Sequence, residues 1–208
     1  MNISRSHRVL ILSGLLLVFT GCASLDVTTR KELTPATERQ GVTLGLQAAG
    51  DRLQDVVTDP ENSLINAASG KLFDKVTLLP KESKFMQPQD IQSAYKVDYI
   101  LAVGISDISV SGDLNPIWFA SLPLLVLKIY TPIVTFQPGV ALDVILRDAR
   151  TGAVLMQKQV MESSSDHFAP SNPGPKVRKL ISLTISNALV SVLRDSQQSI
   201  AVARRGGR

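Results

Sequence analysis

Cys22 is the only cysteine among 208 residues, and its thiol is the one soft nucleophile the chain possesses. A single cysteine forms no disulfide within the chain, so the fold must stand on its apolar core. The two histidines are His7 and His167. Asp166 and three serines at 163–165 adjoin His167, and together these are the residue types of a nucleophile, a base and an orienting carboxylate. Their adjacency argues against that chemistry. Neighbours on a polar loop do not converge as triad members must, and no nucleophile-turn motif surrounds them. The stretch reads as solvated loop. One histidine beyond the leader offers no metal-ligand spacing, and no phosphate loop or dinucleotide fingerprint occurs. Of the other carboxylates, Asp107 ends a buried pattern, Asp148 starts a turn, and Asp143 sits at a solvent-facing strand position. Asp98 is scattered among them. The chain is expected to hold no catalytic residue, no metal and no cofactor.

The chemistry of Cys22 depends on what precedes it. Arg5 and Arg8 lead into an apolar run at 9–19, followed by Thr20-Gly21-Cys22. Basic, apolar, small, cysteine is the order of a bacterial secretion signal. The run is too short for a membrane span, which needs about 20 apolar residues. Phe19-Thr20-Gly21-Cys22 resembles the lipobox of bacterial lipoproteins, with Phe19 in place of the usual leucine. The resemblance implies cleavage between Gly21 and Cys22, a diacylglyceryl group on the Cys22 thiol, and a palmitate-type acyl group on the new amino terminus. Each buried methylene contributes ~0.8 kcal/mol, and two or more chains anchor stably. In such lipoproteins an aspartate after the cysteine favours the inner membrane. Ala23 there implies the outer membrane, with the protein facing the periplasm.

The formal charge is +4, with Arg204, Arg205 and Arg208 crowded at the end. This is a basic tail rather than a basic face suited to nucleic acid. At 44% hydrophobic residues the chain has enough apolar material for one core.

The elements that must position any site follow from the pattern. Residues 22–40 read as the lipidated cysteine and a polar tether. Leu44, Leu46, Leu53, Val56 and Val57 predict a helix weakened by Gly45 and Gly50. Asp59 and Pro60 open a second, with Leu64, Ile65, Ala68 and Leu72 as its buried stripe. Residues 73–79 predict a strand, and Pro88 starts a short helix that turns Ile91, Ala94 and Tyr95 inward. The strongest strand spans 97–110. It is apolar on both faces, hence central in its sheet, and is broken by Ser111-Gly112-Asp113. A strand from Gly139, a turn over 148–152 and a strand over 153–161 form a hairpin. After a loop at 163–174, a helix from Pro175 buries Val177, Leu180, Ile185, Leu189 and Leu193 against one sheet face. Residues 196–208 read as a basic, disordered tail. The periplasmic domain is thus expected over 41–195, as an α/β fold with a mixed, largely antiparallel sheet flanked by helices.

Two stretches carry a further resemblance. Val97-Asp98-Tyr99-Ile100-Leu101-Ala102-Val103-Gly104 and Leu146-Arg147-Asp148-Ala149-Arg150-Thr151-Gly152-Ala153-Val154 are similar to a strand and the next hairpin in a group of periplasmic lipoproteins. The group includes the curli secretion lipoprotein, the Pel polysaccharide export lipoprotein, activators of penicillin-binding proteins and the amino-terminal domain of TolB. The resemblance implies a TolB amino-terminal-domain-like sandwich, and its members do different jobs on one fold. The expected function is a non-enzymatic, lipid-anchored envelope protein that binds a protein partner or supports assembly or export by an envelope complex. Homo-oligomerisation is compatible with this. The alternative is an envelope polymer-acting hydrolase or polymer-binding enzyme. The chain departs from the group at 114–136, an apolar insert with prolines at 116, 123 and 132 and one charge, Lys128, which reads as a strand extension or an apolar loop. Its Trp118, Phe119, Leu122, Leu124, Leu125 and Tyr130 are the expected membrane or partner contact.

Overall fold

The computed structural model describes residues 30–33, 40–58, 64–114, 134–168 and 173–206. In chain order these give β1 (Gln40–Ala49), α1 (Asp51–Thr58), α2 (Leu64–Ala68), β2 (Phe73–Leu78), a 3-10 turn (Lys81–Phe85) and α3 (Pro88–Tyr95). There follow β3 (Tyr99–Leu114), β4 (Val134–Asp148), β5 (Val154–Ser163), β6 (Asp166–Phe168) and α4 (Pro173–Gly206). The sheet order is β2-β1-β3-β4-β5, with β6 pairing β4. β1 runs parallel to both β2 and β3, whereas β3, β4 and β5 are successively antiparallel. The α/β fold with a mixed, largely antiparallel sheet is the one expected.

The first predicted helix is wrong in its first half. Val42, Leu44 and Leu46 are buried at a spacing of two and form β1, in parallel register with Tyr99–Gly104 of β3. Gly45 is a close-approach residue there: a Cβ would lie 2.9 Å from Leu79 Cδ1. Gly50, at φ +99°, turns the chain into α1, which buries Leu53, Val56 and Val57. α2 is shorter than predicted; the Asp59-Pro60 cap lies outside the described residues. Leu72 is buried in the turn beyond α2. In α3, Ile91 is buried and Tyr95 half-buried, but Ala94 faces solvent.

The main core lies between one sheet face and α1, α2 and α4. Leu44, Leu101, Val103, Leu142, Val144 and Leu146 meet Ile185, Leu189 and Val192 there. A smaller cluster on the other face joins Leu79, Ile91, Val97, Ile100 and Ala149. Asp98 ties that end together. Its carboxylate accepts from the Thr43 N–H at 2.7 Å, and its carbonyl accepts from the Ala149 N–H at 2.9 Å. The β4–β5 turn forms as its residues predict. Asp148 Oδ1 accepts from the N–H groups of Arg150 (2.9 Å) and Thr151 (2.8 Å), and Gly152 takes φ +74°.

α4 differs most from expectation. It continues through the supposed tail to Gly206, with Ser196 and Ile200 fully buried. Ser196 satisfies its hydroxyl on the Val192 carbonyl, 2.8 Å away, and Lys158 of β5 pairs with Asp195. Residues 184–190 are buried on every side, so α4 does not merely cover one face. Residues 30–33 contribute to that cover, and here the tether reading fails. Leu33 joins the main core, and the Lys31 N–H donates to Asn187 Oδ1 at 2.8 Å. The Glu32 carbonyl accepts from Arg194 Nη2 at 2.7 Å.

Candidate partner-binding surface

The feature that leaves the core is the β3–β4 hairpin. β1 accompanies β3 only as far as the Ala49↔Gly104 pair. β3 then continues to Leu114, paired with β4 out to Leu114↔Val134. Ser111-Gly112-Asp113, expected to break the strand, is paired throughout, and β4 starts at Val134 rather than Gly139. From Ile108↔Val140 outward the arm runs about 20 Å, at about 3.4 Å per residue. β6 covers the outer edge of β4 here, with Val134↔Phe168, Thr135↔His167 and Phe136↔Asp166. The loop expected at 163–174 is therefore partly strand, and Asp166 and His167 occupy it as backbone partners of the arm. Among the described residues, nothing pairs with the outer edge of β3 over 105–114.

A bulge at the arm's root decides its two faces. The register passes from Ile105↔Leu142 to Asp107↔Ala141, so Ser106 is the extra residue, its hydroxyl donating to the Ala141 carbonyl at 3.2 Å. Directly paired residues share a face. One face of the arm therefore carries Ile108/Val140, Val110/Pro138, Gly112/Phe136 and Leu114/Val134, all apolar. The other carries Asp107/Ala141, Ser109/Gly139, Ser111/Gln137 and Asp113/Thr135. The apolar face continues the core face of the sheet, since Val140 is buried. Val110 is nevertheless 46% and Leu114 62% exposed. Residues 30–33 land at the arm's root. Lys31 Nζ pairs with Glu162 at 2.7 Å, and Glu162 lies opposite Val140 in the sheet.

A cleft of about 480 Å³ lies on the opposite sheet face, against the 3-10 turn. Ala49, Ala102, Gly104 and Ile145 form its floor, and Asp51, Lys81, Lys84 and Asp143 its polar rim. Two carboxylates thus share a cleft, the arrangement an acid–base pair would need. Asp51, however, bonds Lys81 at 2.5 Å. That hydrogen bond, and the charge behind it, hold its carboxyl below the ordinary range, so Asp51 is a carboxylate at neutral pH and no proton donor. Asp143 is exposed, as expected, and accepts from Gln159 Nε2 at 3.2 Å. Ser83 is fully buried; its hydroxyl donates to the Pro80 carbonyl and accepts from Gln47 Nε2. These groups fasten the turn to β1 and leave no activated nucleophile at the rim.

Gly21, Cys22, Trp118, Phe119, Leu122, Leu124, Leu125 and Tyr130 lie outside the described residues. The sequence left 114–136 open between a strand extension and an apolar loop, and the strand pair takes its two ends, Leu114 and 134–136. The arm's trace in the sequence is a change of parity: Tyr99, Leu101, Val103 and Ile105 are the inward residues before Ser106, and Ile108, Val110 and Leu114 after it.

No family model matches the chain, and no curated protein matches it by sequence. Similar solved structures exist. Protein XCC0632 from Xanthomonas campestris, of the family model DUF330, is 10% identical, covering 88% of this chain and 99% of its own at a TM-score of 0.51. A Helicobacter pylori protein named as a neuraminyllactose-binding hemagglutinin homolog is 11% identical, covering 80% and 90% at 0.48. A PelC dodecamer from Paraburkholderia phytofirmans is 12% identical, covering 77% and 96% at 0.38. At 10% identity the likeness to XCC0632 is one of fold, shared over nearly the whole length of that protein.

Proposed function

We propose that the chain is a non-enzymatic, lipid-anchored envelope protein, held at the outer membrane through Cys22 and facing the periplasm, that binds a protein partner or supports assembly of an envelope complex. The observation that carries this reading is the arm. Val110 and Leu114 present apolar surface on a strand pair that has left the core, and contiguous exposed apolar surface marks an interaction site. The position of residues 30–33 supports the anchoring half. Between Cys22 and Arg30 the chain spans at most ~28 Å at about 3.5 Å per residue, so a lipid on Cys22 keeps the arm's root near the bilayer. The proposed contact residues Trp118, Phe119, Leu122, Leu124, Leu125 and Tyr130 belong to the chain between β3 and β4. Assembly of several copies belongs to the same reading.

The test is made on full-length protein in cells. Cys22→Ser is expected to abolish incorporation of labelled fatty acid and to release the protein from outer membranes; unchanged labelling or inner-membrane fractionation overturns the anchoring. Wild-type protein from solubilised membranes is expected to co-purify with an envelope protein. Trp118→Ser with Leu125→Ser is expected to lose it while circular dichroism stays unchanged. Retention of the partner by that folded variant overturns the contact, and the absence of any partner overturns the binding reading.

A further inference from the structure

The outer edge of β3 adds something the apolar face does not: it specifies a partner. A strand edge presents unpaired N–H and C=O groups that another strand can complete. Here the edge runs over 105–114, and 109–114 are exposed. Its polar face carries Asp107 and Asp113, and no basic residue lies between β3's Tyr99 and Leu114. The arm segment of β4, 134–141, has no charge at all. The two carboxylates stand six residues apart on one face, about 20 Å.

This spacing disfavours a second copy of the chain in the registers that overlap most fully. An antiparallel two-fold pairing centred on Val110 sets Asp107 against Asp113 twice over, and a parallel in-register pairing stacks each on itself. Like charges directly opposite destabilise a strand pair. The same two charges favour a strand that brings lysine or arginine to both places, so repulsion and attraction select together.

We infer that the β3 edge binds an extended segment of another envelope protein by strand addition, and that this segment alternates apolar residues with basic residues placed six apart. Its backbone completes the β3 edge. Its apolar side chains extend the Val110 and Leu114 face, and its two cations face Asp107 and Asp113. The inference rests on the partner-binding reading above and names the chemistry of that partner; lipid anchoring plays no part in it.

The probe is the blocked peptide Lys-Val-Thr-Val-Thr-Val-Lys, titrated against full-length protein in detergent micelles. It is expected to bind at least about tenfold more tightly than the same peptide with glutamate at both ends, two opposed ion pairs against two like-charge pairs. Asp107→Lys with Asp113→Lys is expected to reverse the preference. N-methylation of the peptide at alternate residues separates strand addition from simple charge attraction. Methylation of one parity is expected to abolish binding and of the other to spare it, because only alternate N–H groups face β3. Equal effects of both parities, or no binding of the lysine peptide, overturn the inference. So does a co-purified partner complex that survives the double Asp→Lys change, an outcome that leaves the partner-binding reading standing. Loss of that complex in the folded double variant supports both.

Discussion

The backbone N–H of Lys31 and the side-chain oxygen of Asn187 meet at 2.8 Å across 156 residues of sequence. That bond fixes the chain's leading segment on the outer side of α4, at a helix position buried on every side. Asn187→Ala leaves a partly buried N–H without its acceptor and is expected to cost about 1–3 kcal/mol. Hydrogen exchange should localise the change, with protection lost first at 30–33.

Ile200 is fully buried two residues beyond exposed Gln198. Ile200→Ala should destabilise by about 2–5 kcal/mol, as for other buried aliphatic side chains, whereas Gln198→Ala should stay within about 0.5 kcal/mol. Urea unfolding of both variants checks this, and equal small effects would show that the end of α4 contributes nothing to the core.

Gly45 lies on β1 where its missing side chain makes room for Leu79 and Val97, whose nearest atoms would sit 2.9 Å and 3.3 Å from a Cβ. Gly45→Val should overpack this site and cost about 1–3 kcal/mol. Relief by a second change, Leu79→Ala, in a double-mutant cycle would identify the clash as the cause.

Burial pushes the Tyr99 phenol above its ordinary 10.0, and the nearby Asp148 charge adds to the rise. The native state therefore keeps a proton that the unfolded chain releases first. This contribution to stability is complete below pH 10 and is lost as pH rises through the higher native value. Unfolding free energy should decline above about pH 10, and Tyr99→Phe should flatten that part of the curve. A decline of the same slope in the variant would assign it to other groups.

The β4–β5 turn was legible because its rules are local: Asp148 bonds the next N–H groups, and Gly152 takes a positive φ. β1 was not. Val42, Leu44 and Leu46 with Leu53 and Val56 fit a helical stripe nearly as well as a strand followed by a helix, and a central parallel strand has a buried helix's composition. Ser196 reads as polar tail because its hydroxyl is counted as needing water, yet it bonds its own helix at Val192. Gly112 reads as a turn residue, whereas in the arm it is an ordinary ladder position opposite Phe136. The chemistry expected at Cys22 was read wholly from the order of residues before it, and the edge of β3 that no described strand pairs is a property of where β1 stops.

The single extra residue at Ser106 makes the arm's orientation a matter of counting. Side chains alternate along a strand, so one added residue would exchange the two sides of everything beyond it, and the bulge at Ser106 absorbs that residue. Deleting Ser106 would leave Ile105 opposite Leu142 and Asp107 opposite Ala141 in unbroken alternation, with Val110 and Leu114 still on the side that continues the core. Beyond the bulge, a change of two residues in one strand would preserve the arrangement, whereas a change of one that no second bulge absorbs would invert it. The arm can thus vary in extent without losing its bearing, provided it varies in even steps.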